Sequence, residues 1–394
     1  MVTIKEAISL IEKHVGVTGD RTVEKLKNAV GKVICQNVES SISMPPFRQS
    51  AMDGYAVFLH DNDEYVLLDE VVKAGDSHCP ELKPGQAFRI FTGAPVSVSA
   101  NAVVMQERVA VTDKGTIKVS GPMKEGDNIR PVGEQVKAGE VALKKGTLLT
   151  PAAIGFLASL GVAEVEVFKK PSVAIVTTGN ELAEPGELLG TGKVYESNSV
   201  MLAVALESLG YENVAVSKVP DDYGATVRLL DEMIDRYDVV IASGGISVGD
   251  YDYVGKALNT LGVKEHFYKV KQKPGKPLFF GSKGSTAVFA LPGNPAAALT
   301  CFYIYVYPAL ERISGLRDFR LESVTMEAAN GFVKKGDRPQ FLKAYAEGGK
   351  VRLLEGQSSA MLQTFALANA LALVPAEQLR VEVGDKVEVF RLPG

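Results

Sequence analysis

Polar residues and glycines follow an apolar run in the middle of the chain, at the point where a strand would end. The run Val239–Ala242 leads into SGGISVGDYD (243–252). Adjacent glycines let backbone N–H groups converge on an anion, and the N-terminal end of a following helix adds positive potential. The structural alternative is a glycine-rich turn in which Asp252 caps that helix. Two serines and two aspartates within these ten residues favour the anion site.

Two other turns follow apolar runs of the same region. LPGNP (291–295) places Asn294 and Pro295 where an N-cap and a first helical residue belong. It is therefore either a well-formed helix start or an anion site at free N–H groups. TTGNEL (177–182) puts the Glu181 carboxylate just past a buried strand, where it could bind metal or substrate or lie in a surface loop. The residues alone leave both alternatives open.

Two aspartates occur in turn sequences that local structure would also explain. VPDD (219–222) precedes a helical pattern, so Asp221 is a natural N-cap. AMDG (51–54) contains Asp53 in an exposed-looking turn, and Asp-Gly turns are common. Taken singly, neither carboxylate indicates a function.

Four lysines lie close together in KVKQKPGKP (269–277). Lys269, Lys271 and Lys273 alternate, so in an extended chain they share one face at spacings of about 6.6 Å. One interpretation is an edge strand that lysine protects from aggregation. The other is an electrostatic clamp for an anionic substrate, with Pro-Gly-Lys-Pro forming a tight loop over the ligand.

Together these residues indicate metal-assisted chemistry on a phosphorylated or oxyanionic substrate. The chain offers no candidate Ser-His-Asp set, and its four histidines and three cysteines lack the spacing of a zinc site. A bound metal would therefore depend on carboxylate oxygens, which points to magnesium. No GxGxxG follows a strand, and this argues against a Rossmann dehydrogenase.

Composition narrows the class of protein further. The chain has 394 residues, is 46% hydrophobic and carries a net charge of -4. This balance argues against a dedicated nucleic-acid binder, which would normally be basic. No apolar stretch fits a membrane span and the N-terminus lacks the apolar core of a signal peptide. We therefore expect a cytoplasmic protein without a membrane partner.

The apolar patterns predict several kinds of domain. Ile4, Ile8 and Ile11 predict a first helix, and a second is predicted around Val23–Val30. Short strands between turns predict a β-rich module over about 64–120. Strands alternating with helices from Ser172 onward predict a layered α/β domain with a mostly parallel sheet. Further predicted helices are Thr147–Leu160 and Ala296–Leu310, and short strands after Gly315 predict a small β-barrel or sandwich.

The motifs also occur in a familiar order. In sequence they are SAMDGYAV (50–57), FTGAPV with SANAVVMQE (91–107), NIRPVGE (128–134), TTGNEL (177–182), SGGISVGDYDY (243–253), KQKPGKP (271–277) and LPGNP (291–295). This ordered set resembles the molybdopterin molybdenumtransferases, the MoeA family, which includes the C-terminal domain of gephyrin. Each motif is weak by itself, but the set is specific and covers nearly the whole chain.

The resemblance implies a multidomain α/β plus β fold in four parts. A discontinuous helical and mixed domain (1–44 and 137–170) forms the dimer, and a β-rich domain (45–136) is inserted into it. The α/β molybdopterin-binding domain (171–315) and a C-terminal β-barrel-like domain (316–394) follow. Family members are homodimers whose cleft is shared between subunits.

The family reaction uses adenylylated molybdopterin and molybdate. It hydrolyses the AMP anhydride with magnesium and inserts molybdenum into the dithiolene. By resemblance, Asp53 would reach the cleft from the inserted domain, across the dimer. Glu181, Asp221 and Asp252 would hold magnesium or position the pterin phosphate.

The resemblance also assigns the cationic and neutral residues. Lys269 and Lys273 match the family's paired lysines and would neutralise molybdate and the departing AMP, completing the catalytic set. The implied substrate-binding residues are Ser243, Gly244, Gly245, Ser247, Lys276, Pro292, Asn294, Arg338 and Ser359.

Two departures and two alternatives accompany the resemblance. Gln135 stands where many members have an aspartate, and Asn180 replaces a common Asp. These changes leave open a molybdopterin-binding scaffold or a catalytically altered paralogue.

The α/β part alone also resembles molybdopterin adenylyltransferases, but those would be single domains. The sequence leaves open whether a separate molybdopterin adenylyltransferase supplies the substrate.

Overall fold

The computed structural model describes residues 1–246, 252–316 and 319–393. The chain divides into two compact units, one of Met1–Thr22 with Phe168–Gly394 and the other of Val23–Val167. Each unit is described below by itself. Within the described residues, no helix is long and apolar enough to cross a membrane.

The first helix, α1 (Ile4–His14), confirms the amphipathic pattern at the N-terminus. Thr3 caps it, because its side chain accepts a hydrogen bond from the Glu6 N–H at 3.2 Å while Glu6 accepts one from the Thr3 N–H at 2.7 Å. Ala7 and Ile11 are buried against the large core of the first unit.

The predicted second helix around Val23–Val30 is wrong. These residues form strand β1 (Arg21–Lys25) and a single 3₁₀ turn (Leu26–Asn28). Burial alternates along β1 and leaves Val23 63% exposed, which is the period of a strand and not of a helix. Strand β2 (Val38–Glu39) follows.

A β-rich region confirms the predicted module. Its six-stranded sheet has the order β7-β4-β6-β5-β9-β8. At Gly54 the strand passes so close to the Val104 carbonyl that a Cβ atom would overlap it. The strands are β3 (Gln49–Ser50), β4 (Gly54–Val57), β5 (Glu64–Val72), β6 (Gln86–Ile90), β7 (Ala102–Met105), β8 (Val109–Val111), β9 (Thr116–Val119) and β10 (Ile129–Arg130), with a 3₁₀ turn at Gln106–Arg108.

The second unit ends with β11 (Val141–Leu143), α2 (Pro151–Ser159) and β12 (Glu164–Phe168), the last crossing into the first unit. Helix α2 begins later than the predicted Thr147 because Thr150 caps it, accepting from the Ala153 N–H at 3.2 Å. Leu149 and Leu157 are buried in a small core with Ile34.

The α/β region has a six-stranded sheet of order β16-β13-β17-β20-β19-β18. The first four strands are parallel, while β19 and β18 are antiparallel to their neighbours. This confirms the mostly parallel sheet. Its strands are β13 (Val173–Thr178), β16 (Val214–Val219), β17 (Val239–Ser243), β18 (Lys264–Lys269), β19 (Pro277–Lys283) and β20 (Thr286–Leu291), and a short pair, β14 (Leu182–Ala183) and β15 (Val194–Tyr195), lies outside it.

Helices cover both faces of this sheet, which explains why its central strands are uninterrupted apolar runs. One face packs against α4 (Tyr223–Arg236) and α5 (Tyr253–Thr260). The other packs against α3 (Asn198–Ser208) and a C-terminal helical segment. That segment is α6 (Pro295–Cys301), a π turn (Phe302–Val306) and α7 (Tyr307–Ile313).

The predicted single helix Ala296–Leu310 is therefore interrupted by the π turn. Pro308 explains the interruption, because it has no N–H and its ring would meet the carbonyl of Ile304, four residues earlier. Widening the turn at Ile304 accommodates the proline without ending the helical segment.

The C-terminal region is a closed barrel of order β21-β24-β23-β25-β27, which confirms the predicted β-barrel. Its apolar interior includes Leu342, Val351 and Val389. The elements are β21 (Ser323–Ala328), β22 (Phe332–Val333), β23 (Gln340–Glu347), β24 (Lys350–Leu353), α8 (Leu362–Ala366), β25 (Ala370–Val374), β26 (Arg380–Val381) and β27 (Lys386–Arg391).

Candidate functional site

The carboxyl ends of the parallel strands meet at one edge of the α/β sheet, where ligands of such sheets bind. The antiparallel pair adds the end of β18 and the start of β19 to the same edge. A cavity of about 590 Å³ opens there. Five predicted site residues line it, namely Glu181, Ser243, Gly244, Pro292 and Asn294.

A second cavity of about 280 Å³ adjoins the first, since Thr178, Glu181 and Gly244 line both. It adds Asp221 and Gly245 to the predicted residues that the structure brings together. The turn after β17 therefore faces carboxylates of the β13 and β16 ends. Ser247 lies outside the described residues.

Close backbone approach requires both glycines of the turn after β17. Gly244 has φ +87°, and a Cβ atom there would lie 2.6 Å from the Thr178 carbonyl oxygen. Gly245 has φ +60°, and its Cβ would lie 2.8 Å from the Thr178 hydroxyl and from a methyl of Val254. The glycines thus let this turn cross the end of β13 directly beside the cavities.

Asp221 is not the helix cap that its sequence predicts. Asp222 caps α4 instead, accepting from the Ala225 N–H at 2.7 Å, because the helix begins one residue later. The Asp221 carboxylate accepts from the Thr178 hydroxyl and from the Asn180 N–H, each at 3.0 Å. Asp221 therefore joins the end of β16 to the turn that carries Glu181.

Glu181 is exposed at the mouth shared by the two cavities. In the part of the chain that the structure describes, its carboxylate makes no hydrogen bond or ion pair. Its backbone is nevertheless fixed, because its carbonyl accepts from the Val194 N–H at 2.9 Å. A fixed backbone and an unengaged carboxylate suit a group that binds a ligand.

Asp252 caps α5, accepting from the Gly255 N–H at 2.9 Å, so the structural alternative holds for this residue. It also accepts a hydrogen bond from the Tyr268 hydroxyl. Burial and then this carboxylate raise the pKa of Tyr268 above its usual range. Asp252 lines neither cavity, and across 1–246, 252–316 and 319–393 no three His, Cys, Asp or Glu side chains cluster as metal ligands.

The predicted single face for Lys269, Lys271 and Lys273 is wrong. Strand β18 ends at Lys269, and a turn closes with a hydrogen bond from the Val270 N–H to the Lys276 carbonyl at 3.0 Å. Gln272 fixes this turn from inside: it is completely buried and accepts a hydrogen bond from the Tyr305 hydroxyl.

The lysines nevertheless stay at the sheet edge. Lys269 pairs in register with Pro277, which lines the larger cavity. Its ammonium lies 5.8 Å from the centre of the Tyr268 ring. Lys276, next to Pro277, is exposed.

Residues of the C-terminal barrel contact this edge, and Arg338 and Ser359 are among them. Arg338 Nη1 donates to the Gln272 carbonyl at 2.8 Å. The Lys273 N–H donates to the Pro339 carbonyl at 2.9 Å. Ser359 accepts from Asn294 Nδ2 at 3.0 Å through its hydroxyl.

The site is therefore electrically polarised along the sheet edge. Carboxylates follow β16 and β13, whereas lysines follow β18 and precede β19. Four strand spacings separate β13 from β18, which at about 4.8 Å each amounts to roughly 19 Å. An elongated substrate with anionic groups, or two anionic substrates side by side, matches such an edge.

Sequence reasoning missed two buried residues of the larger cavity. Asn198 Nδ2 donates to the Ser243 hydroxyl at 2.9 Å and to the Gly293 carbonyl at 2.8 Å, so it joins two ligand-facing turns. The buried Glu196 carboxylate accepts from the Ser199 N–H at 2.9 Å. The signal was a polar ESNS (196–199) at the start of an apolar helix, a pattern typical of helix starts.

Asp53 lies in the second unit, and there it is held by Thr92. One carboxylate oxygen accepts from the Thr92 hydroxyl at 2.7 Å and from the Thr92 N–H at 2.8 Å. The hydroxyl and then the N–H hold the pKa of Asp53 below its usual value. Asp53 is exposed, and its reach into the cleft stays a prediction.

Three family models match the chain in succession. The MoeA N-terminal region (domain I and II) matches residues 2–161, a probable molybdopterin binding domain matches 174–312, and the MoeA C-terminal region (domain IV) matches 325–392. The middle match contains every residue that lines the smaller cavity and all that line the larger one except Ala360.

Whole-chain relatives agree with these models. The chain is 32% identical to a molybdopterin molybdenumtransferase of Haemophilus influenzae, over 99% of this chain and 98% of that protein. It is 35% identical to molybdopterin molybdenumtransferase 2 of Mycobacterium tuberculosis, over 93% and 94%. A crystal structure of the Pyrococcus horikoshii MoeA protein superposes over the full length of both chains with a TM-score of 0.84 at 29% identity.

A multidomain protein with carboxylates and lysines at one edge of a mostly parallel sheet is thus matched by one family from end to end. The chain belongs to the MoeA family of molybdopterin molybdenumtransferases, as its ordered motifs indicated.

Proposed function

We propose that this protein inserts molybdate into adenylylated molybdopterin and releases AMP by magnesium-dependent hydrolysis. The observation that carries the proposal is the polarised sheet edge. Carboxylates at one end suit a metal-bridged phosphate, and lysines at the other suit an oxyanion. The cavity of about 590 Å³ reaches from Glu181 to Pro277, the residue that pairs in register with Lys269.

The glycine turn after β17 is proposed to receive the pterin phosphate. Gly244 and Gly245 bring backbone into the cavity wall with no side chain to obstruct a ligand. Ser243 and Asn294 offer hydroxyl and amide groups on the same wall, and Pro292 shapes it. Ser243 is oriented by Asn198, so its oxygen is already placed before a ligand arrives.

Magnesium fits the carboxylate end. This ion keeps several waters and is typically bound through one or two carboxylates and substrate phosphates, so a full protein cage is not required. Glu181 and Asp221 line one cavity and would hold it. Bound there, the ion would neutralise charge on the phosphoryl oxygens. Asp252, already engaged twice, would serve by fixing Tyr268 beside Lys269.

The lysine end is proposed to bind molybdate and the departing AMP phosphate. Lys269, Lys273 and Lys276 supply positive charge around the turn after β18. Arg338 and Ser359 reach the same edge from the barrel. Because hydrogen bonds hold Arg338 and Ser359 before binding, charge that develops during the reaction meets donors there that need no reorganisation.

The remaining proposals come from the family resemblance. We propose a homodimeric cytoplasmic enzyme with the four-domain boundaries given above, in which Asp53 acts in a cleft shared between subunits. A separate molybdopterin adenylyltransferase would supply the substrate.

The test is AMP release from adenylylated molybdopterin by purified protein, with and without magnesium and molybdate. Asp53→Ala and Lys273→Ala are expected to lose molybdate-dependent release. Matched controls are Lys271→Ala in the same turn and Asp61→Ala, an exposed aspartate of the same region as Asp53. If a control variant lost as much molybdate-dependent AMP release as the variant it is matched with, the role assigned to Asp53 or Lys273 would be wrong.

Gln135 supports a second candidate, a molybdopterin-binding scaffold or a catalytically altered paralogue. An amide at this position cannot supply the charge of the aspartate that many members carry. Tight binding of adenylylated molybdopterin without AMP release would favour this candidate. Gln135→Asp should then restore release, whereas an active wild type would show that the amide is tolerated.

A further inference from the structure

Two lysines of the C-terminal barrel are buried. Lys334 and Lys343 are each only 4% exposed. Neither forms an ion pair within the described residues. A buried ammonium is unfavourable unless hydrogen bonds replace its water, and it has three N–H donors to satisfy.

Lys334 satisfies its donors with three backbone carbonyls. Its Nζ donates to Gly336 at 3.0 Å, Arg338 at 3.1 Å and Ala376 at 3.0 Å. Two of these carbonyls belong to the loop that leads into β23, and the third follows β25. The ammonium therefore fixes the loop 334–339 to a neighbouring part of the barrel.

Lys343 does the same for a second loop. Its Nζ donates to the carbonyls of Gly356 at 2.8 Å, Ser358 at 3.0 Å and Met361 at 3.1 Å. The Gln357 side chain adds a bond to the Lys343 carbonyl at 2.9 Å and accepts from the Lys343 N–H at 2.9 Å. Burial lowers the pKa of Lys343, but the three carbonyls favour its charged form.

Both loops contact the sheet edge. The Lys334 loop provides the Arg338 side chain to Gln272 and the Pro339 carbonyl to the Lys273 N–H. The Lys343 loop provides the Ser359 hydroxyl to Asn294, and its Ala360 lines the larger cavity. Two of the three carbonyls that Lys334 binds, those of Gly336 and Arg338, lie within two residues of Arg338. Two of the three that Lys343 binds, those of Ser358 and Met361, lie within two residues of Ser359.

We propose that Lys334 and Lys343 are positioning residues, which hold Arg338 and Ser359 in the geometry that anion binding requires. Each lysine acts on its own loop, so their effects are separable. The activity readout rests on the proposed function, whereas the loop geometry does not.

Double-mutant cycles test this separation. Lys343→Met pairs with Ser359→Ala, and Lys334→Met pairs with Arg338→Met. Each single variant is expected to lower kcat/KM for molybdate by about tenfold. The double variant of each matched pair should have a kcat/KM little below that of its more impaired single variant. The crossed pairs, Lys343→Met with Arg338→Met and Lys334→Met with Ser359→Ala, should fall by about a hundredfold. If the losses of kcat/KM in the single variants multiplied in the matched pairs as they do in the crossed pairs, the proposal would be overturned.

Two further variants guard against simple unfolding. Lys334→Arg and Lys343→Arg keep the charge, but a planar guanidinium cannot direct three donors to the same carbonyls. We expect both variants to melt below the wild type, and to show a lowered kcat/KM when assayed at a temperature at which they remain folded. Lys386→Met is the control, because this exposed barrel lysine pairs with Glu327 at 2.9 Å, away from both loops, and should leave kcat/KM unchanged.

Amide hydrogen exchange gives a readout without turnover. Lys334→Met should accelerate exchange in peptides covering 336–341, and Lys343→Met in peptides covering 356–362, with the other loop unchanged. If the wild type releases no AMP, the proposed function is wrong. The exchange rates would still show whether Lys334 and Lys343 position their loops. Unchanged exchange in both loops would refute the positioning role.

Discussion

The two ends of the candidate site are positioned in different ways. At the carboxylate end, neighbouring strands of one sheet hold each other, since Asp221 binds Thr178 and Asn180 across the β16–β13 pair. At the lysine end, the turn after β18 is held by the C-terminal barrel. Arg338, which binds the Gln272 carbonyl, lies 66 residues further along the chain.

This difference implies different sensitivities. The carboxylate end should withstand changes in the barrel, because every contact that fixes Asp221 comes from the α/β region. The lysine end and Asn294 should respond to such changes, because Arg338, Pro339 and Ser359 of the barrel are among their partners. Substitutions at each end test this difference in sensitivity, and the one with the largest expected effect comes first.

Gly244→Ala should distort the carboxylate end in a way that a second side-chain substitution does not relieve. The new Cβ would lie 2.6 Å from the Thr178 carbonyl oxygen at a φ of +87°, so both overlap and backbone strain oppose it. We expect a loss of about 2–4 kcal/mol in the free energy of unfolding, together with loss of activity. Urea unfolding and AMP release measure the two.

Gly262→Ala is the matched control for this variant. Its φ of +72° carries the same kind of strain, but no atom lies within 4 Å of the new Cβ. We expect a cost of about 1 kcal/mol, the strain alone. Equal destabilisation by the two substitutions would contradict the close approach at Thr178.

Gly275→Ala should damage the lysine end in a way that a second substitution relieves. Gly275 has φ +80°, and the atom nearest to its new Cβ is the buried Sγ of Cys301, which belongs to a side chain and not to backbone. We expect a loss of about 2–3 kcal/mol in the free energy of unfolding.

Cys301→Ala should restore part of that stability and leave about 1 kcal/mol of φ strain. A double-mutant cycle by urea unfolding measures the coupling. Additive losses would show that the overlap with Cys301 does not limit this turn.

The accuracy of prediction from the sequence depends on how far apart along the chain the contacting residues lie. The buried parallel strands were predictable, because runs such as VAIVTT need burial on both faces and are read locally. Glu181, Ser243 and Asn294 follow from the strand-end rule once those strands are placed. Short strands between turns likewise predicted a small β-barrel or a sandwich, and the structure shows the closed barrel.

The failures all involve long-range partners or near-equivalent local choices. The lysine turn depends on Gln272 and Tyr305, whose contact spans 33 residues, so an extended face was the natural prediction. Asn198 was missed because its partners lie 45 and 95 residues away. Asp221 and Asp222 both suit an N-cap, and only the helix start distinguishes them.

Glu181→Gln and Asp221→Asn should separate metal binding from structure at the carboxylate end. Glu181 has no partner within the described residues, so its amide variant should keep the thermal midpoint while the magnesium needed for half-maximal activity rises about tenfold. Asp221→Asn should raise that requirement and also cost about 1 kcal/mol of stability, because an amide replaces an acceptor of two hydrogen bonds.

A magnesium titration of AMP release beside a thermal melt makes the distinction. Glu184→Gln is the control, a nearby carboxylate that pairs with Lys218 at 3.0 Å outside both cavities. If Glu181→Gln melts early with an unchanged magnesium requirement, Glu181 is structural and not a ligand.

Thr92→Val should produce the smallest effect, on the pKa of Asp53. The Thr92 hydroxyl is the largest cause that holds this pKa below its ordinary value of 3.8, followed by the Thr92 N–H. Removing the hydroxyl should move the pKa upward, and Thr92→Ser, which keeps it, should not. Carboxyl-carbon NMR titration of Asp53 measures this directly.

The sign of the pH effect follows from the lowered pKa. Stability that this contact contributes is fully present above the unfolded pKa, near 3.8, and is lost as pH falls through the lower folded value. The stability difference between wild type and Thr92→Val should therefore be constant near neutral pH and shrink below pH 3.8. A difference that grows as pH falls would mean that the Thr92 hydroxyl stabilises the protonated carboxyl, and the geometry assigned to Asp53 would be wrong.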